Sequence, residues 1–186
     1  MPSPETWTPA GPDLKTVLEG YRDPLFALPE ARIPTIVLRR AYNPDHCAGL
    51  IRRFIDRDLM RDPADTTSEV TRARIDIGTS LGNRGNDKET FLKHAEETLA
   101  LFRDLFEGFD NPVDTLYNAL AELAVGKAVK TAHESDGRLY GPAIFRIHYT
   151  NHTYKPHIDH VSLREKRFNY AVTRFEHQFA GILCFQ

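Results

Sequence analysis

Two histidines and a carboxylate fall within four positions at His157-Ile158-Asp159-His160, and His148 and His152 lie just upstream. Imidazole nitrogens and carboxylate oxygens bind divalent metals and also move protons near neutral pH. On an extended strand, side chains two positions apart share a face. A strand through this segment therefore aims His157 and Asp159 at one point and turns Ile158 the other way, into apolar packing. One imidazole and one carboxylate at one point make two adjacent ligands. A histidine from elsewhere would complete the two-histidine, one-carboxylate triad of non-haem Fe(II), which leaves positions open for a co-substrate and O2. A solvated strand face is the plainer reading of the same residues. His160 points away from Asp159 on a strand and reads as a bystander or a hydrogen-bond partner.

The elements that must position these residues are strands. Ala143-Ile144-Phe145-Arg146-Ile147-His148-Tyr149 predicts one strand, the region around His157 a second, and Phe179 to Gln186 a third. Alternation puts Arg146 and His148 on one face of the first, with Tyr149 on the other. Upstream, Arg72 to Ile77 predicts a short strand and Ile33 to Leu38 another, near an edge because of Pro34. Gly78 to Gly85 reads as a flexible loop, with a substrate lid as the sharper option; its glycines fit no phosphate-binding fingerprint. Arg74, beside that loop, could meet a substrate carboxylate or be a plain surface arginine, and Arg146 is a second candidate substrate contact.

Helices fill the section between. Asn43-Pro44-Asp45 supplies an N-cap, an N1 proline and a first-turn acid, predicting an amphipathic helix over 44–58 with Leu50, Ile51, Phe54 and Ile55 on one face. Asn86 and Glu89 form the outer pair of a capping box that opens a helix over about 87–107, cored by Phe91, Leu92, Ala95, Leu99 and Phe102. Asn111-Pro112 opens another, carrying Val113, Leu116, Leu120 and Leu123, which fades before the Asp136-Gly137 turn. The expected organisation is one domain over 1–186. Residues 1–13 form a loose arm, 14–140 a mostly helical support, and 141–186 the β section.

A strand ending in tyrosine (Tyr149), a short polar link, and then His157-Ile158-Asp159 resembles the first two core strands of the Fe(II)/2-oxoglutarate-dependent dioxygenases, in the prolyl-hydroxylase-like branch. The resemblance implies an α+β fold, with N-terminal helices supporting a double-stranded β-helix (jelly-roll) core. It implies Fe(II) as cofactor and 2-oxoglutarate as co-substrate, with His157 and Asp159 as iron ligands and Tyr149 on the 2-oxoglutarate. The reaction implied is hydroxylation, desaturation or cyclisation of a small molecule, such as an amino acid or natural-product intermediate, with release of succinate and CO2. It also implies a distal histidine and a basic residue beyond H-x-D. His160 and His177 sit too early for that part, so the chain reads as the N-terminal part of a longer enzyme, or as one half of a split one.

Two rivals use the same residues. Asp159-His160 fits part of the H-x-H-x-D-H motif of metallo-β-lactamase-type zinc hydrolases, but Lys155 stands where its first histidine belongs. A non-catalytic partner subunit that has lost part of the iron site is the other. Bulk properties narrow the field further. A formal charge of −2, 41% hydrophobic and 27% charged residues describe an ordinary soluble domain, with no basic field for nucleic acid or a membrane surface. No apolar run is long enough to span a bilayer. Cys47 and Cys184 are far apart and read as two reduced, buried thiols, so a cytoplasmic protein is expected, as a homo-oligomer or with a partner chain completing its core.

Overall fold

Helices begin where short polar side chains can receive the first free backbone N–H groups. In the computed structural model, which describes residues 8–64, 74–149 and 155–185, these starts are well formed. Asp13 accepts from the Thr16 N–H at 2.9 Å to open α1 (Leu14–Gly20). Asn43 Oδ1 accepts from the Asp45 N–H at 2.9 Å, and α2 runs Pro44–Asp56. The cap of α4 (Lys88–Leu105) is Asp87, bonded to the Thr90 N–H at 2.7 Å. That lies one residue later than the Asn86 and Glu89 pairing expected. Glu89 is instead bound by Arg138, and Asn86 by Arg167. Asn111 caps α5 (Pro112–Leu123) as expected. α5 ends at Leu123, the last residue of its expected apolar face and well before the Asp136-Gly137 turn, and Val125-Gly126 beyond it is poor helix sequence.

Strands are fewer than expected. β1 (Arg74–Gly78) pairs antiparallel with β2 (Ile144–His148), with Arg74 opposite His148 and Asp76 opposite Arg146. Ile33 to Leu38 contributes only a single bridge, Ile36 with Ala10. Residues 155–160 and 179–185 form no strand. A strand needs a neighbour for its backbone groups. In 155–160 such groups meet turn and side-chain partners instead: the Lys155 carbonyl oxygen lies 2.8 Å from His157 Nδ1, and the His160 carbonyl accepts from the Arg164 and Glu165 N–H groups at 3.0 and 3.2 Å. Ile158, expected to pack, is 75% exposed. The Gly78 to Gly85 loop holds a helical turn, α3 (Leu81–Arg84), where the Ser80 N–H donates to Asn83 Oδ1 at 2.7 Å. The architecture is α+β, helices with a small two-stranded sheet; a jelly roll is not seen among the described residues. His152 and Tyr154, the first part of the N-terminal arm, Arg72 and Gln186 lie outside the described residues.

The chain divides into two compact units. The described residues of Met1–His46, Asp110–Lys130 and Gly181–Gln186 make one. Its core is Ala10, Val17, Ala27, Ile33 and Leu123, with α1 packed on α5. Cys184 there is exposed rather than buried, since no strand forms around it to cover it.

Cys47–Phe109 and Thr131–Ala180 make the second unit, which holds the residues of the histidine-rich section. A two-stranded sheet alone is marginal in water. This one is held by its apolar face: Phe145 meets Phe54, Phe102 and Phe106 at ring-centroid distances of 5.0, 5.4 and 5.9 Å. Gly78 ends β1 with φ +99, where a Cβ would meet the Phe102 ring at 3.0 Å, so glycine serves both turn and packing there. Gly49 lets the Phe109 ring approach α2 closely, and the Arg53 guanidinium lies 4.3 Å from that ring's centroid. Arg53 also donates to the Leu105 and Glu107 carbonyls at 2.7 and 2.6 Å, capping the end of α4 with a cation. No helix among the described residues is long and apolar enough to cross a membrane.

Candidate metal centre

His157 and Asp159 come together without a strand. His157 Nδ1 lies 2.8 Å from the Lys155 carbonyl oxygen. That oxygen can only accept, so Nδ1 carries a proton, and in the neutral ring Nε2 presents a lone pair. Nε2 faces Asp159 Oδ1 at 3.3 Å. Imidazole and carboxylate lone pairs face each other favourably only with a cation between them, either a proton or a metal. Adjacent ligands about 2.1 Å from a shared ion stand about 3 Å apart, so this donor pair fits a divalent metal. A backbone carbonyl on the remote nitrogen is the usual device for orienting a ligating histidine.

The rest of the expected ligand set is not assembled among the described residues, where no group of three or more His, Cys, Asp or Glu side chains gathers. His177 stands beside Phe179, ring centroids 6.4 Å apart. His160 uses Nδ1 to accept from the Ser162 and Leu163 N–H groups at 3.3 and 3.1 Å, so it caps the turn over 161–164. Its partnership is local, as the bystander reading implied.

The other candidates lie on or beside the sheet. Arg74, Asp76, Arg146 and His148 share its polar face. Arg74 binds Asp76 with two nitrogens, both at 3.0 Å, while Arg146 is exposed. The Tyr149 hydroxyl accepts from the Arg61 N–H at 3.0 Å, and the Arg61 guanidinium lies 5.8 Å from its ring centroid. That bond takes an oxygen lone pair and leaves the phenolic proton to donate.

One buried network escaped the sequence analysis. Glu134 is 6% exposed. It accepts from Lys88 Nζ at 2.7 Å, from the Tyr140 hydroxyl, and from the Ala171 N–H at 3.2 Å. Lys88 Nζ also donates to the Asn169 carbonyl at 2.8 Å, and the Tyr170 hydroxyl to the Gly85 carbonyl at 3.0 Å. Burial pushes the Glu134 carboxyl up, but Lys88, Tyr140 and Ala171 together hold it below the usual glutamate value. Burial, then Glu134, pushes the Tyr140 phenol up. The rings of Phe91, Tyr140 and Tyr170 meet edge to face around the network. The network therefore pins residues 169–171 to α4 and to the 134–140 turn, anchoring the chain downstream of His157 and Asp159. Its members are scattered over more than 80 positions, and no local spacing signals them.

A family model described as carrier-protein-independent halogenase WelO5 matches residues 14–182. No curated protein and no solved structure matches the chain.

Proposed function

This chain belongs to the WelO5 family of carrier-protein-independent halogenases, enzymes of the Fe(II)/2-oxoglutarate oxygenase superfamily, and on that premise we propose that it oxidises a small molecule with O2 and 2-oxoglutarate. His157 and Asp159 are two of the iron ligands in this reading. The observation that carries it is the 3.3 Å approach of His157 Nε2 to Asp159 Oδ1, with Nδ1 anchored on the Lys155 carbonyl. When bound, the iron and its 2-oxoacid supply the oxidising power, and succinate and CO2 are the by-products.

This chain's own residues bind and orient. The Lys155 carbonyl fixes the His157 tautomer, and Asp159 supplies the negative charge that holds a dication. The Tyr149 phenol, steadied by the Arg61 N–H, donates to a carboxylate of 2-oxoglutarate. Arg146, exposed beside the Arg74–Asp76 pair, is the residue proposed to meet the substrate. The helices are proposed to support a double-stranded β-helix, with β2 its first core strand.

Asp159 also bears on the outcome. If His157 and Asp159 hold the iron, the Asp159 carboxylate would take a ligand position that a halide would otherwise need. Hydroxylation, desaturation or cyclisation is therefore favoured over halogenation in this member. Near-neutral charge favours a small, uncharged or zwitterionic substrate over nucleic acid. The test is mass spectrometry of products formed with Fe(II), 2-oxoglutarate, O2 and added chloride, across a panel of amino acids and related metabolites. Succinate with an oxygenated or desaturated product is expected. A chlorinated product would overturn the outcome, and no 2-oxoglutarate turnover with any substrate would overturn the function.

A further inference from the structure

We propose that Arg164 is a placeholder for the metal, a guanidinium that holds Asp159 toward His157 before metal arrives and yields the carboxylate oxygen when it does. The inference rests on the iron reading above. One oxygen, Asp159 Oδ1, lies 3.3 Å from His157 Nε2 and 2.9 Å from Arg164 Nη1. It thus faces the imidazole and a cation at once, and the Arg164 guanidinium stands next to the space a shared ion would take.

The turn between them makes this local. The Arg164 and Glu165 N–H groups donate to the His160 carbonyl at 3.0 and 3.2 Å, while His160 Nδ1 receives the Ser162 and Leu163 N–H groups. The chain is folded back so that a side chain five residues on reaches Asp159. Arg164 has somewhere to go: Glu165 Oε1 already lies 3.5 Å from its Nε. On metal entry it shifts toward Glu165 or to the second oxygen of Asp159.

Arg164 exerts two opposing effects on metal affinity. Holding the carboxylate in place strengthens binding, whereas occupying its oxygen and adding a positive charge beside a dication weakens it. Both side chains are 42% exposed, so solvent screens both effects. Under the same screening, repulsion from a doubly charged ion that needs the same oxygen is the larger effect. Competition wins, and neutralising Arg164 tightens binding.

The experiment is Co(II) titration of the protein, followed by visible absorption and by calorimetry, for wild type, Arg164→Gln and Arg164→Lys. Arg164→Gln should bind Co(II) tighter by on the order of tenfold, and Arg164→Lys, which keeps the charge, should stay near wild type. Equal or weaker binding by Arg164→Gln overturns the proposal. So does an Arg164→Lys protein that binds as tightly as Arg164→Gln. A wild type that binds no Co(II) overturns the iron reading itself, an outcome distinct from either of these.

Discussion

The two nitrogens of His157 have separate partners, and that division suits the ring to the ligand role proposed for it. Nδ1 is committed to the Lys155 carbonyl and Nε2 to the Asp159 carboxylate. Replacing Asp159 with Ala should abolish 2-oxoglutarate turnover while leaving the far-ultraviolet circular dichroism unchanged, because the side chain is half exposed and cores nothing. Full activity in that variant would remove Asp159 from the site. Glu134 makes the opposite case, a charge retained for structure. Its carboxyl is held below the ordinary value of about 4.3, so its stabilising contribution is present above that pH and is lost as pH falls through the depressed folded value. Glu134→Gln should cost about 2 kcal/mol at pH 7 in urea denaturation. The gap to wild type should close on acidification; a gap that widens toward acid pH contradicts the assignment. The motif pair was legible because H-x-D lies within three positions. Arg164 and Glu134 were not, since each acts through a fold-back or a long-range contact that no spacing records.

At the scale of elements, the starts of helices were the most legible feature. Asn43-Pro44 and Asn111-Pro112 cap the helices they predict, because a short polar side chain before proline satisfies the first N–H groups whatever surrounds it. The start of α4 was displaced by one residue, where Asp87 competed with Asn86 and tertiary partners took Asn86 and Glu89. Asp87→Ala should lower unfolding stability measurably, whereas Asn86→Ala should leave the helix cap intact; equal helix loss in both would contradict the cap. Strands were harder to read. Apolar runs such as Phe179 to Phe185 have strand composition, yet a strand exists only with a paired neighbour, and pairing is non-local. β1 and β2 were legible because each alternates and each meets the other. Phe145 carries that pair's packing, so Phe145→Ala should cost about 3 kcal/mol in denaturant unfolding.

Over the whole molecule, apolar side chains divide into those that hold the fold and those that do not. Phe91, Leu50 and Leu105 are buried, whereas Phe168 is 68% and Phe175 61% exposed. Phe168→Ser and Phe175→Ser should each change unfolding stability by less than about 0.5 kcal/mol, against the much larger loss for Phe145→Ala; a comparable loss would mean these residues are core. Family membership extends over residues 14–182, a span that takes in the helices and the His157–Asp159 segment alike. His157 and Asp159 are proposed to hold an iron that takes 2-oxoglutarate. The most direct measurement is anaerobic titration of the protein with Fe(II) and 2-oxoglutarate, followed in the visible range. The charge-transfer band of the iron–2-oxoacid chelate is expected in wild type, and its loss in His157→Ala. No band in wild type, or an undiminished band in His157→Ala, would contradict the proposal.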